Sequence, residues 1–403
     1  MEKVFFLFFS FFFFFSCSVR QRESHLEGDC ITINLDGEKE AFIPISSVFK
    51  NVQPIILETG KDCLIGNLSE LQVFDGHIYV FDKYFAKSLF VFDMEGRFIR
   101  KIGNVGKGPG EYIQANDFTL DTENRFIYLS DRGNRVHKYQ LDGTYINSIT
   151  IPIPRSNINF IQYYNGRLYA DVFPWEPDMA DYMLLETDPD NGKILSRSLP
   201  IKYNKGWAEL FFMGHSFFMS RLNSPPRYTQ LFMDYIVSVD KEITPYIELK
   251  SKNLITDNDL KNLPETTYKT NLMEKLEPLQ GRSKIFDVHN FVENENVIIF
   301  SYQTVIFNYF TVVYSKETGT VRIAEYLCND LIFKHDKSGL YGRFIFFDAK
   351  GAYEILHTNM IDDFQESMRN NELLPGLEKA EQLMELNTES NPVIFYYEFK
   401  DAE

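Results

Sequence analysis

A duplicated unit constrains the fold of this chain more than any other feature of its sequence. The pentapeptide IYVFD at 78–82 recurs as IYLSD at 127–131, which is 49 residues further on. The hexapeptide MEGRFI at 94–99 recurs as LDGTYI at 141–146, an offset of 47 residues. Repeats of about 40 to 50 residues built from short strands are typical of β-propeller blades. The sequence therefore predicts an all-β propeller, which fixes an architecture but not an activity.

Tight hairpin turns extend this repeat along the chain. Turns between the third and fourth strands of successive blades are predicted at Gly96, Gly143, Gly192, Glu242 and Gly319. Asp-Gly and Asn-Gly pairs mark such turns because both residues tolerate positive φ. The spacings are 47, 49, 50 and 77 residues. Removing a polar segment of about 28 residues would restore the period, so a helical insertion is predicted within 251–284, between blades four and five.

The remaining sequence supplies a sixth blade. Its strands are expected at 329–333, 352–358 and 392–399, with a helix from Asp362 to about Leu386 and an outermost strand from 31–35 or 41–45. Joining both chain ends in one blade closes the ring and removes a free sheet edge. The predicted fold is thus a single six-bladed propeller domain spanning residues 30–403.

The N-terminus has the features of an export signal. Lys3 precedes a 12-residue, mostly Phe segment, Val4 to Phe15, that is apolar except for Ser10, and Ser16-Cys17 follows directly. A membrane span needs about 20 apolar residues, so this run is too short. Residues 1–16 are interpreted as a lipoprotein signal peptide with lipidated Cys17, and residues 17–29 as a tether. An ordinary cleaved signal peptide remains the alternative.

Composition and charge indicate where in the cell the protein lies and which partners it can bind. No acidic run follows Cys17, which favours a periplasm-facing position on the outer membrane over the cell surface. The formal net charge of −16 argues against nucleic acid as a partner, because phosphate binding needs concentrated Lys and Arg. Cys30, Cys63 and Cys328 permit at most one disulfide, and free buried thiols are expected.

Several segments resemble a known family. VFDMEGRFIRKIG at 91–103, NVGKGPGEY at 104–112 and DRGNRVHKYQLDGTYINSI at 131–149 resemble NHL-type six-bladed propellers, and in particular the β-propeller lipoproteins of Gram-negative bacteria. The C-terminal NPVIFYYEFK also resembles that family's ending. The resemblance is strong over 76–150 and the tail, and it implies no catalytic residues.

The glycine-rich loop at 103–112 is interpreted as a connection between blades. It lacks the GxxxxGK[ST] of a phosphate-binding loop, and strand-like sequence follows it where a nucleotide site needs a helix. Pro109 also removes one backbone donor.

Binding residues are expected on one face of the ring. In a propeller the connections between blades lie on the same face as the loops between second and third strands, here 83–88, 131–135, 173–181 and 221–229. Loops on a rigid scaffold commonly carry binding residues. Aromatic and Arg side chains suit a glycan, a peptide or a partner protein, although each could instead pack its loop against the scaffold. The candidate ligand contacts are Tyr84, Arg132, Trp175, Arg221, Arg227 and Tyr228.

Inner strands carry a second set of polar residues. Asp117, Asn159, His289 and Asp330 could face the central channel and offer oxygen and nitrogen ligands to Ca²⁺. The alternative is that they fill a hydrated channel. No cofactor is otherwise predicted.

The sequence favours a lipid-anchored, non-catalytic binding module for a glycan, peptide or envelope protein over an enzyme, since it contains no GxSxG or HExxH motif. Two alternatives stay open. One is a metal-dependent lactonase or lyase, and the other is a scaffold within an envelope complex.

Overall fold

The computed structural model is a ring of six sheets, which confirms the six-bladed propeller. No helix in the described part of the chain is long and apolar enough to cross a membrane. The structure describes residues 20–21, 28–154, 156–174, 182–200, 217–218, 224–256, 258–259, 262–263, 274, 276–306, 308–334, 340, 342–370, 373–374, 376 to 401.

The N-terminal chain runs along the outside of the ring before blade one begins. Its strands are Arg20–Gln21 (β1), Ile31–Asn34 (β2), Lys39–Pro44 (β3) and Phe49–Ile56 (β4). Strands β1, β2 and β3 pair in parallel with the outermost strands of blades three, four and five. Strand β4 pairs antiparallel with the last strand of the chain. Both chain ends therefore contribute to blade six and close the ring.

Blades one and two contain the two copies of the duplicated unit. Blade one consists of Glu70–Phe74 (β5), His77–Asp82 (β6), Ser88–Asp93 (β7) and Phe98–Ile102 (β8). A short parallel pair follows, Asn104–Val105 (β9) and Glu111–Tyr112 (β10). Blade two consists of Ala115–Asp121 (β11), Phe126–Asp131 (β12), Arg135–Gln140 (β13) and Tyr145–Thr150 (β14).

The later blades follow the same order of strands. Blade three has Ser156–Tyr164 (β15), Arg167–Pro174 (β16), Tyr182–Thr187 (β17) and Ile194–Pro200 (β18). Blade four has Phe217–Phe218 (β19), Arg227–Tyr228 (β20), Tyr235–Val239 (β21) and Ile243–Lys250 (β22). Blade five has Ile285–Glu293 (β23), Val297–Thr304 (β24), Tyr309–Ser315 (β25) and Val321–Cys328 (β26). Blade six has Phe344–Phe347 (β27), Gly351–Leu356 (β28) and Val393–Phe399 (β29), joined by β4.

Short helices lie in the connections between strands. They are the 3₁₀ helices Ile45–Ser47, Glu277–Arg282 and Thr358–Met360, and the α-helices Ile361–Arg369 (α1) and Ala380–Glu385 (α2). The helical region predicted at 362–386 is therefore confirmed, but it is split into two helices. Within the predicted insertion at 251–284, much of the segment from Tyr268 to Leu276 lies outside the described residues.

Alternate side chains of each strand pack against the two neighbouring blades and so hold the blades together. In β6, Ile78 and Val80 pack against blade six, whereas Tyr79 and Phe81 pack against blade two. Side chains alternate between the faces of a strand, so one buried strand serves two interblade cores. Burying each large apolar side chain contributes about 1.5–3 kcal/mol. The cores between blades therefore stabilise the ring.

All five predicted hairpin turns are confirmed. Gly96, Gly143, Gly192 and Gly319 have φ between 70° and 92°, and Glu242 lies in the turn between β21 and β22. At Gly96 a Cβ would lie 2.1 Å from the carbonyl oxygen of Ile56, so the turn also needs the absence of a side chain.

Two strand predictions for blade six were wrong. The outermost strand is Phe49–Ile56, while the two segments proposed for it instead pair with blades four and five. The innermost strand is Phe344–Phe347. The segment 329–333 lies in the connection from blade five, where the Asp330 carboxylate accepts hydrogen bonds from the amide and hydroxyl of Ser46. Asp330 thus anchors the N-terminal chain.

Candidate functional site

Exposed apolar side chains gather on the loops above blades one and two. They come from the connection of blade six to blade one, the loop between β6 and β7, and the connection of blade one to blade two, all on one face of the ring. Their exposed fractions run from 45% to 72%. Exposed apolar side chains on neighbouring loops of one face are candidates for a site of protein or membrane interaction. This apolar patch consists of Leu64, Tyr84, Phe85, Val105 and Ile113.

The carboxylate of Asp82 holds two of the loops that carry the apolar patch. Its Oδ2 accepts hydrogen bonds from the amides of Gly66, at 2.7 Å, and Asn67, at 3.1 Å. Its Oδ1 accepts from the amides of Tyr84, at 3.1 Å, and Phe85, at 2.8 Å. Asp82 is fully buried. Because charge-assisted hydrogen bonds are about twice as strong as neutral ones, the exposed side chains stand on a fixed backbone.

Asp131 has the same role in the second copy of the repeat. Its Oδ1 accepts from the amide of Gln114 at 2.7 Å, and both carboxylate oxygens approach the amide of Ile113. Burial opposes ionisation of this group, but hydrogen bonds from His137 and these two amides outweigh it and lower the pKa of Asp131. The Asp that ends each copy of the repeat is therefore a loop anchor, a role that sequence reasoning missed.

The glycine-rich loop connects blades one and two and carries Val105 and Ile113 on its flanks. The Oε2 of Glu111 accepts a hydrogen bond from the amide of Gly108 at 2.7 Å. A Cβ on Gly106 would lie 2.0 Å from the same oxygen. The glycines thus make room for a carboxylate of the loop itself, which agrees with a structural connection.

Basic side chains outnumber acidic ones near the surface of the loops that carry the apolar patch. The acids near the surface of these loops are Glu58, Asp62 and Glu111, of which Glu58 and Glu111 accept hydrogen bonds from backbone amides. This basic rim favours short-range contact with acidic groups of a partner at the edge of the apolar patch, on a chain whose net charge is −16. The basic residues of these loops are Lys61, Lys83, Lys87, Lys107 and Arg132.

The predicted ligand contacts divide into three groups. Tyr84 and Arg132 lie exposed in the loops above blades one and two. Trp175 and Arg221 lie outside the described residues, as does Cys17. Arg227 and Tyr228 form the second strand of blade four, so their placement in a loop was wrong.

Both strand residues are buried and bind neighbouring side chains. Arg227 donates to Glu293 at 2.9 Å, and its guanidinium lies 3.5 Å from the ring centre of Tyr246. The hydroxyl of Tyr228 donates to Asp171 at 2.7 Å, and burial raises its pKa well above the ordinary value. These contacts join blade four to blades five and three.

The candidate metal ligands have separate partners. Asp117, Asn159 and His289 lie on inner strands as expected, whereas Asp330 does not. Asp117 accepts from the amide of Ile161 at 2.6 Å, which links blades two and three. Among the residues that the structure describes, no three His, Cys, Asp or Glu side chains come together as a metal site. Cys30, Cys63 and Cys328 are free thiols, and Cys63 is buried.

Comparisons with solved structures agree with the fold. A protein described as exported, from Bacteroides fragilis NCTC 9343, aligns with a TM-score of 0.72 and 17% identity, over 93% of this chain and 100% of its own. A member of the DUF4221 family from Bacteroides vulgatus ATCC 8482 aligns with a TM-score of 0.50 and 13% identity, over 88% of this chain and 98% of its own. At these identities the similarity extends to the fold alone. No curated protein matches the sequence.

The family comparison covers nearly the whole propeller. The family model matches residues 30–398, which begin one residue before β2 and end within β29. The chain therefore belongs to the family defined by the domain of unknown function DUF4934.

Proposed function

We propose that this chain is an exported, lipid-anchored propeller of the bacterial envelope that binds a partner protein and catalyses no reaction. The export signal and Cys17 in the sequence support the anchor, and the exported relative from Bacteroides fragilis supports the location. NHL-like repeats and a position facing the periplasm remain part of this proposal.

The observation that carries the proposal is the apolar patch with its basic rim. Phe85 is 72% exposed although the buried Asp82 fixes its amide. A rigid apolar centre with a charged rim is the usual composition of a protein interface. Because such a surface is already fixed, it loses little conformational entropy on binding. A protein or peptide with an apolar anchor and acidic flanks fits this surface better than a glycan, which needs hydrogen-bonding groups at its centre.

Affinity capture with the mature, lipidated chain tests this proposal. The chain is extracted in mild detergent, and proteins bound to wild type, Phe85→Asp and Ile146→Asp are compared by quantitative mass spectrometry. Ile146 is the matched control, because it is 39% exposed on β14, outside the apolar patch. We expect wild type and Ile146→Asp to capture the same one or few envelope proteins. Phe85→Asp should capture at least tenfold less of them.

The captured protein is then purified and its affinity measured at two salt concentrations. Weaker binding at high salt is expected because the basic rim contributes Coulomb attraction that salt screens. Equal capture by all three proteins would reject the apolar patch as the binding surface.

A further inference from the structure

A polar cleft of about 180 Å³ lies across the strands of blade five. It is separate from the apolar patch, on a different part of the ring. Arg343 lines it from the connection to blade six, and Tyr309, which is 41% exposed, lies at its open side. At about 30 Å³ for each water in the liquid, the volume corresponds to roughly six water molecules, which is comparable to one sugar ring.

The strand register explains why polar side chains share this cleft. Ser301 of β24 lies opposite His289 of β23 on one side and opposite Thr311 of β25 on the other. Residues directly opposite each other in antiparallel strands point to the same face of the sheet. An imidazole and two hydroxyls therefore form one continuous row along the wall of the cleft.

A β-bulge adds an amide to this row. The pairing of β23 with β24 slips between His289 and Val292, and Asn290 has a φ of 54°. In a regular strand His289 and Asn290 would point to opposite faces, but here both line the cleft. Bulges commonly redirect side chains at binding sites.

The groups in the cleft have hydrogen-bonding capacity left over. The buried Nδ1 of His289 has no hydrogen-bond partner within the described structure, and the Asp287 carboxylate is 3.4 Å away. The hydroxyls of Ser301 and Thr311 are 3.5 Å apart, the limit of a hydrogen bond. A ligand that donates and accepts hydrogen bonds can replace water at the imidazole and the two hydroxyls.

We propose that this cleft binds a single sugar residue. Sugar hydroxyls both donate and accept, which matches a wall of hydroxyls, imidazole and amide that ends in the charged groups of Glu325 and Arg343. Tyr309 supplies an aromatic ring at the open side, where its hydroxyl is fixed by the side-chain amide of Gln303 at 2.7 Å. An aromatic ring beside polar groups suits the apolar face and polar edge of a sugar.

Saturation-transfer NMR with the mature chain tests the proposal. The probes are glucose, galactose, mannose and N-acetylglucosamine, with glycine and inorganic phosphate as non-sugar controls. We expect at least one sugar to receive saturation and to bind at least about fivefold more weakly to Thr311→Val, which loses one hydroxyl and keeps the side-chain shape. Ser301→Ala should weaken binding by a similar factor. Thr320→Val, in the exposed turn between β25 and β26, is the matched control and should bind as wild type does.

Thermal unfolding of each variant checks that it folds. The proposal is overturned if no sugar binds wild type, if glycine or phosphate binds in their place, or if folded Thr311→Val and Ser301→Ala bind the sugar as tightly as Thr320→Val does. Binding at this cleft is measured without any partner protein, so the result is independent of the apolar patch.

Discussion

Blades one and two differ from blades four and five in what holds their connections and edges. In the first pair, buried carboxylates bind the backbone amides of the connecting loops, and the structure describes no fifth strand beyond β8 or β14. In the second pair, β2 and β3 cover the outer edges. The connection between blades four and five is held by a side-chain ion pair, Lys284 with Asp259, at 2.9 Å.

The two pairs of blades are therefore stabilised in two different ways, by anchors nearby in the sequence and by strands from a distant part of the chain. The repeat encodes the anchors of blades one and two locally, so their loops can carry exposed apolar groups on a fixed backbone. The later blades depend on strands from the distant N-terminus. The proposed partner-binding surface therefore lies mostly on loops that are held by nearby residues, although the buried side chain of Asn391 also binds the backbone of the loop that carries Leu64.

The largest expected effect is the loss of a carboxylate anchor. Asp82→Ala removes the acceptor of four backbone amides, and we expect it to destabilise the protein by about 3–5 kcal/mol in urea unfolding. Asp62→Ala, an exposed acid in the neighbouring loop, is the control and should change stability by less than about 0.5 kcal/mol. If the two variants have the same free energy of unfolding, Asp82 does not hold the loops.

The next effect concerns the N-terminal strands. Ile43 of β3 is fully buried in the core of blade five, and Ile43→Ala should cost about 2–4 kcal/mol through lost burial and the cavity left behind. Hydrogen exchange should become faster in β26, which pairs with β3, and stay unchanged in β8. Equally faster exchange in both strands would show that blades one and five are not independent.

A smaller effect should depend on pH. Burial opposes ionisation of Asp259, but hydrogen bonds from Lys284 and Thr256 outweigh it and lower its pKa to about 2. A carboxylate whose pKa is lowered on folding stabilises the protein above its unfolded pKa, and loses this contribution as the pH falls through the folded value. Asp259→Asn should therefore cost about 2 kcal/mol at pH 7 and about half of that at pH 3.

Urea unfolding at both pH values measures this difference. Asp62→Asn provides the matched comparison with an exposed acid. A penalty for Asp259→Asn that is the same at pH 7 and pH 3 would contradict the ion pair as the anchor of this connection.

The smallest effect on stability should come from the apolar patch itself. Leu64→Ser removes a side chain that is 53% exposed, and the free energy of unfolding should change by less than about 0.5 kcal/mol. Thermal unfolding of wild type and variant measures it. A loss above 1 kcal/mol, in the range typical of a core substitution, would mean that Leu64 packs the loop against the scaffold.

The sequence predicted the parts of the fold that have local signals. IYVFD and IYLSD predicted blades one and two, and Gly96 and Gly143 fixed their hairpins because a turn sets the register of the strands it joins. No turn joins β2 or β3 to its partner. Segments 31–35 and 41–45 alternate equally well, so their parallel pairing with blades four and five could not be predicted.

The candidate site was predicted only in part. Tyr84 and Arg132 were identified because loop aromatics and Arg are common in interfaces, and the same reasoning selected Arg227 and Tyr228, which are buried. Exposure depends on tertiary packing, so Leu64 and Phe85 could not be distinguished from core residues. The repeated Asp82 and Asp131 were visible in the sequence, and their identical position in both copies could have identified them as anchors.

Site-specific photo-crosslinking in cells tests the central claim most directly. A photoreactive phenylalanine analogue is placed at position 85 or 64 of the anchored chain, and at position 146 as the control. We predict that positions 85 and 64 crosslink to the same partner protein and that position 146 does not. No product at position 85, or the same products at all three positions, would contradict the assignment of the apolar patch as the binding surface.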